Sequence, residues 1–149
     1  MHLVYLALGT NQGNLTENLK KCLNNFKILK KSTPIKTKPF EMNSKNDFLN
    51  QVIQIETELS PQKLLEKLKN IETQMGRTNK NDYSDRIIDI DIISYDDLIF
   101  QDDNLIIPHP KMHQRKFVLL PLREIAPNFV HPSSKKTIDE MLEKIDNTL

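Results

Sequence analysis

Arg86-Ile87-Ile88-Asp89-Ile90-Asp91-Ile92-Ile93 reads as a β-strand whose two faces have opposite chemistry. Side chains alternate across a strand, so Asp89 and Asp91 share one face while Ile88, Ile90 and Ile92 point the other way into a core. Aspartate is depleted in strands and like charges side by side repel, so this pair is costly beside a hydrophobic sheet unless a cation compensates. Mg²⁺ is the usual cation there. It takes one or two protein carboxylates and fills its remaining octahedral positions with water and substrate phosphates. The alternative is a sheet edge with a wetted face, because charged residues also guard exposed edges.

Working backwards, a polar stretch from Arg77 to Asp85 leads into this strand and reads as a loop. Before it, Ser60-Pro61 starts a helix, with serine as cap and proline in the first turn where its missing donor costs nothing. The buried stripe of that helix is Leu64, Leu65, Leu68, Ile71 and Met75, and Gly76 ends it. Strands fit residues 28 to 38 and 48 to 58. In the second, Phe48, Asn50 and Val52 lie on one parity and Leu49, Gln51, Ile53 and Ile55 on the other, so both faces are mixed. Further back, Asn14 and Glu17 form a capping box for a helix with Leu15, Leu19, Cys22, Leu23 and Phe26 on one side. A first strand over residues 3 to 8 is broken by Gly9-Thr10-Asn11-Gln12-Gly13.

The order strand, helix, strand, strand, helix, strand is the split βαβ of an α+β, ferredoxin-like arrangement. It predicts an antiparallel sheet with helices packed on one face and the ligand site on the other side. Beyond residue 100 come a short apolar run at Leu105 to Ile107, a turn at Pro108-His109-Pro110, a helix or irregular helical turn from Phe117 to Ala126, and an amphipathic helix through Ile138, Met141, Leu142 and Ile145. These are C-terminal helical additions to a single domain, 1–149.

The 149 residues, 38% hydrophobic with net charge +1, suffice for one real core and exclude a disordered chain. So balanced a charge gives no global pull toward nucleic acid or membrane, and any anion site must be local. One cysteine, Cys22, excludes an internal disulfide and a cysteine-built zinc site, and its helical apolar context predicts core. The start Met1-His2-Leu3-Val4-Tyr5-Leu6-Ala7-Leu8 is too short to span a bilayer and has no basic leader, so a cytoplasmic protein is expected.

Only four basic residues are arginine, at positions 77, 86, 115 and 123. Arg77 and Arg86 bracket the loop before the aspartates, and Arg115 closes the segment that His109 begins. Guanidinium grips phosphate bidentately where ammonium acts as a point charge, so the cluster suits a polyphosphate. Each arginine alone is also compatible with a surface bridge to Glu72, Asp89 or Asp91. No P-loop is present, so side chains would have to hold the phosphates. His109 is either a phosphate donor or a plain turn histidine. Phe48 and Phe117 flank polar groups; such rings either stack on a flat heterocycle or pack in the core. Asn50, on the same strand face as Phe48, could read the edge of such a heterocycle.

Together these residues resemble the 6-hydroxymethyl-7,8-dihydropterin pyrophosphokinase family. The likeness runs through Gly9-Thr10-Asn11, Thr37 to Phe40, Phe48-Leu49-Asn50, Glu72 to Arg77, the Arg86-x-x-Asp89-x-Asp91 signature, Pro108-His109, Arg115-x-Phe117, and Pro121-Leu122 through Ile125-Ala126-Pro127. The resemblance implies transfer of the β,γ-pyrophosphoryl group of ATP to the pterin hydroxymethyl oxygen, releasing AMP, within folate biosynthesis. It implies two Mg²⁺ held by Asp89 and Asp91, and phosphates held by Arg77, Arg86, His109 and Arg115. Arg77, Arg86, Asp89 and Asp91 would form the catalytic group. Glu72 matches a position near the nucleotide. Phe48 and Phe117 would sandwich the pterin, with Asn50 and the segment Thr37 to Phe40 reading its edge. The loop from Arg77 to Arg86 would act as a lid. The expected partners are ATP and the pterin, with no nucleic acid, no membrane and a monomeric state. A non-catalytic ferredoxin-like nucleotide- or RNA-binding module is the rival, but it lacks a basic face and an RNP-like aromatic segment.

Overall fold

The computed structural model describes residues 1–38, 46–76 and 87–147. Phe40, Arg77, Arg86 and the expected lid lie outside these. Strand β1 (His2–Thr10) is followed by helix α1 (Leu15–Leu23), strands β2 (Ile28–Lys31), β3 (Ile35–Thr37) and β4 (Phe48–Thr57), helix α2 (Pro61–Gln74) and strand β5 (Asp89–Tyr95). The sheet runs β2-β4-β1-β5, every pairing antiparallel, with β3 also on β4. This is the expected split βαβ order. A small hairpin, β6 (Phe100–Gln101) and β7 (Ile106–Ile107), precedes a 3₁₀ turn (Met112–Gln114) and helices α3 (Lys116–Ile125) and α4 (Ile138–Asn147).

Local chemistry fixes the first two helices where the sequence puts them. Asn14 Oδ1 accepts from Glu17 N at 3.1 Å, Ser60 Oγ accepts from Lys63 N at 3.3 Å, and Gly76 ends α2 with φ of 108°. That positive φ is the left-handed conformation glycine adopts without a Cβ penalty.

Two expectations need correction. The strand expected over residues 28 to 38 is two strands, because Thr33 N leaves the ladder to donate to Glu124 Oε2 at 2.6 Å and Pro34 has no N–H to donate. The first strand continues through Gly9 and Thr10 instead of stopping at Leu8, since Gly9 pairs with Asn50 on one side and Asp89 on the other.

The mixed parity of β4 has a structural meaning. One face of the sheet, with Leu6, Leu8, Ile53, Ile55, Ile90 and Ile92, packs on Leu19, Cys22, Leu64 and Leu68 of α1 and α2. The other face, with Val52 and Ile93, packs on Leu119, Leu122, Ile138 and Met141 of α3 and α4. The C-terminal helices thus take part of the second face and confine the open remainder to the end of the sheet holding Gly9, Asn50 and Asp89. Cys22 is buried, and burial together with the Glu72 charge pushes its thiol up to about 12.

Candidate active site

Strand register builds the site. Asn50 of β4, Gly9 of β1 and Asp89 of β5 form one row across three strands, and Val52, Ala7 and Asp91 form the next row on the same face. With strands about 4.8 Å apart, the Asn50 and Asp89 backbones stand roughly 10 Å from one another across the intervening glycine. Phe48, on the face of Asn50, pairs with Thr37 of β3. Asn50 Nδ2 donates to Thr37 Oγ1 at 2.6 Å, which fixes the amide of a side chain only 6% exposed. An amide held through one of its N–H groups keeps its oxygen and second N–H available.

Asp89 and Asp91 are half-buried and share the expected face. His109 Nε2 and Arg115 Nη1 each stand 3.9 Å from Asp91 Oδ2, too far for direct hydrogen bonds. The Arg115 guanidinium lies over the Phe117 ring, 5.5 Å from its centroid, so α3 delivers a cation and an aromatic surface as one unit. Arg115 Nε is buried with no acceptor among the described residues. A buried donor without a partner costs about 1–3 kcal/mol, and a ligand oxygen would remove that cost.

His109 is tied to the aspartate strand through its own N–H, which donates to Ile93 O at 2.9 Å. Its ring pKa is lowered to about 4, chiefly by burial and then by the Arg115 charge, with Asp89 opposing. The imidazole is therefore neutral at pH 7. Lys111 N donates to Nδ1 at 3.1 Å, so the neutral ring carries its proton on Nε2, the nitrogen facing Asp91. A neutral N–H donor beside a guanidinium suits a phosphate oxygen.

Glu72 is 4% exposed, and its Oε2 accepts from Ile90 N at 2.8 Å. Ile90 lies between the two aspartates on the outermost strand of the sheet. This carboxylate therefore holds the edge of β5 in place from α2, a role that sequence spacing did not reveal.

The structure thus sets Thr37, Phe48 and Asn50 together, and gathers His109 and Arg115 beside Asp91, with Phe117 against the Arg115 guanidinium. Asp89 is the carboxylate that shares a row with Asn50. Among the described residues no three His, Cys, Asp or Glu side chains form a closed metal cage. Two half-exposed carboxylates on one strand face fit Mg²⁺, which keeps water and phosphate in its remaining positions. No helix among the described residues is long and apolar enough to cross a membrane.

Residues 5–127 match the family described as 7,8-dihydro-6-hydroxymethylpterin-pyrophosphokinase (HPPK). The chain is 40% identical over 141 residues to the 2-amino-4-hydroxy-6-hydroxymethyldihydropteridine pyrophosphokinase of Haemophilus influenzae, covering 91% of this chain and 88% of that protein. It is 37% identical to the protein of the same name from Aquifex aeolicus, covering 100% of this chain and 94% of that protein. Folic acid synthesis protein FOL1 of Dictyostelium discoideum is 42% identical across 98% of this chain, which spans only 23% of that longer protein. A crystal structure of HPPK-DHPS in complex with substrates superposes with a TM-score of 0.80 at 15% identity, over 99% of this chain and 44% of that one, which shows the shared fold.

Proposed function

Because the chain belongs to the 7,8-dihydro-6-hydroxymethylpterin-pyrophosphokinase family, we propose that it transfers the β,γ-pyrophosphoryl group of ATP, with Mg²⁺, to the hydroxymethyl oxygen of 6-hydroxymethyl-7,8-dihydropterin. The products are AMP and the pterin diphosphate. Pyrophosphate transfer in folate biosynthesis is the activity its relatives' names carry.

The observation that carries the proposal is the Asn50-Gly9-Asp89 row. It puts the Asn50 amide and the Asp89 carboxylate on one face of the sheet, with Gly9 between them. Phe48 and Phe117 would stack on the pterin, and Asn50, with Thr37 and Phe40, would read its edge. The hydroxymethyl arm would then extend toward the aspartates. Arg115, together with Arg77 and Arg86, would bind triphosphate oxygens, and His109 would donate Nε2–H to one of them. Asp89 and Asp91 would hold two Mg²⁺. Those carboxylates would hold the metal where it would neutralise charge on the triphosphate oxygens. Phosphoryl chemistry asks the chain mainly for alignment and charge stabilisation, which these side chains would provide. Glu72 would serve the nucleotide end by holding the aspartate strand. Residues 1–149 would act as one domain, as a cytoplasmic monomer.

The test is AMP release by purified protein given ATP, Mg²⁺ and 6-hydroxymethyl-7,8-dihydropterin, with each omitted in turn. AMP and a pyrophosphorylated pterin appearing only in the complete mixture would support the assignment. A folded protein that binds neither ATP nor the pterin would overturn it.

A further inference from the structure

We propose that a second ligand site lies between α1 and β4, on the opposite face of the sheet from the aspartates. It takes a small carboxylic acid with an apolar body and an O–H or N–H donor at its far end. The hollow has a volume of about 380 Å³, within the range of small-molecule pockets. Its walls are Leu19 and Leu23 of α1, Leu49 and Gln51 of β4, and Ser32 and Pro34 of the connection between β2 and β3. The break between those two strands opens it. Thr33 turns away to Glu124, donating its N–H to Oε2 at 2.6 Å and its hydroxyl to Oε1 at 2.7 Å, and Pro34 has no N–H for the ladder. Alternation along β4 separates the hollow from the candidate active site: Leu49, Gln51 and Ile53 face α1, while Phe48, Asn50 and Val52 face the other way.

Gln51 fixes what the hollow recognises. A glutamine between Leu49 and Ile53 in an apolar row bears a desolvation cost unless both ends of its amide are bonded. Nε2 is bonded, donating to Ser32 O at 2.8 Å, and that bond settles which end of the amide is which. Oε1 is buried and has no hydrogen-bond partner among the described residues, on a side chain whose residue is only 4% exposed. Buried acceptors left in this state are rare, and a donor at the inner wall would complete this one. Lys20 and Lys31 line the same hollow and are exposed, which sets them at its mouth. Neither is in an ion pair with another described residue. Among the described residues no Asp or Glu lines the hollow. An acceptor at the back, leucine walls and two cations at the mouth order the ligand as donor, apolar body and carboxylate.

The probes are hydrocinnamate and its para-hydroxyl derivative, which share a carboxylate and an apolar body and differ in one donor. Titrated into the full wild-type chain and followed in ¹H–¹⁵N spectra, the hydroxylated acid should move the Gln51 side-chain NH₂ pair and the Lys20 and Thr33 amides. It should bind about tenfold more tightly than hydrocinnamate, the scale of one hydrogen bond to a buried acceptor. In Gln51→Leu the two acids should bind alike, and in Lys31→Ala both should weaken by about two- to fivefold. Saturating ATP with Mg²⁺, or the pterin, should leave both affinities unaltered, because the sheet stands between the sites. The wild-type comparison of the two acids does not depend on any variant folding. Equal affinity of the two acids for wild-type protein, binding of neither, or displacement of the hydroxylated acid by ATP or the pterin would overturn the assignment while leaving the proposed function standing.

Discussion

Replacing Glu72 by alanine tests whether a buried carboxylate on α2 holds the strand that carries both aspartates. Its Oε2 accepts from Ile90 N at 2.8 Å, and Ile90 is 5% exposed on a strand with a sheet neighbour on one side only. After truncation the Ile90 N–H would be buried without that acceptor. A hydrogen bond to a charged group contributes about 1.5–3 kcal/mol, and stranding its donor costs a similar amount. Relief of the desolvated carboxylate acts in the opposite direction, so a net loss of about 2 kcal/mol is expected. For a chain of this length that corresponds to a melting temperature lower by roughly 4–8 °C. Glu72→Gln keeps a neutral acceptor and should lose about half as much. The assays are thermal unfolding by circular dichroism and hydrogen exchange at the Ile90 amide, which should exchange faster in Glu72→Ala. If the proposed function holds, kcat should fall about ten- to a hundredfold through loosened carboxylates, as happens when partners of metal ligands are removed. A Glu72→Ala protein that melts within a degree of wild type with unaltered Ile90 exchange would refute the reasoning.

Asp91→Ala should abolish turnover while the far-ultraviolet spectrum stays that of the native fold, and full activity in that variant would remove the two-metal assignment. His109 should titrate with a midpoint near 4 by NMR. Because its folded pKa is depressed, the unfolded chain binds more protons between about pH 6.5 and 4, so stability should fall as pH drops through that window, by about 3 kcal/mol at most; a midpoint near 6.5 would contradict the burial argument. Cys22, with its thiol pushed up to about 12, should resist a thiol reagent in native protein and react once urea unfolds the chain; rapid native labelling would contradict its place in the core.

Position within a secondary-structure element was readable where the chemistry is local. The Asn14 and Ser60 caps act across three residues, and both helices begin where those residues predict. Two-residue alternation alone set Asp89 beside Asp91 and Phe48 beside Asn50. The interruption between β2 and β3 was hidden because its cause, Glu124, lies 91 residues from Thr33. The extension of β1 through Gly9 was hidden for a similar reason, since turn-prone composition was outweighed by pairing on both edges of the strand.

Short-range patterning along the chain settled the order of strands and helices and the shared face of the two aspartates, because periodicity and capping act over a few positions. The row of Asn50, Gly9 and Asp89, the setting of Arg115 at the start of α3 over Phe117 and 3.9 Å from Asp91, and the bond from Ile90 N to Glu72 arise from the folded arrangement alone. Those relations depend on strand register and on helix packing against both sheet faces. Burial summed over the whole chain fixes them, and no short stretch of sequence carries that sum.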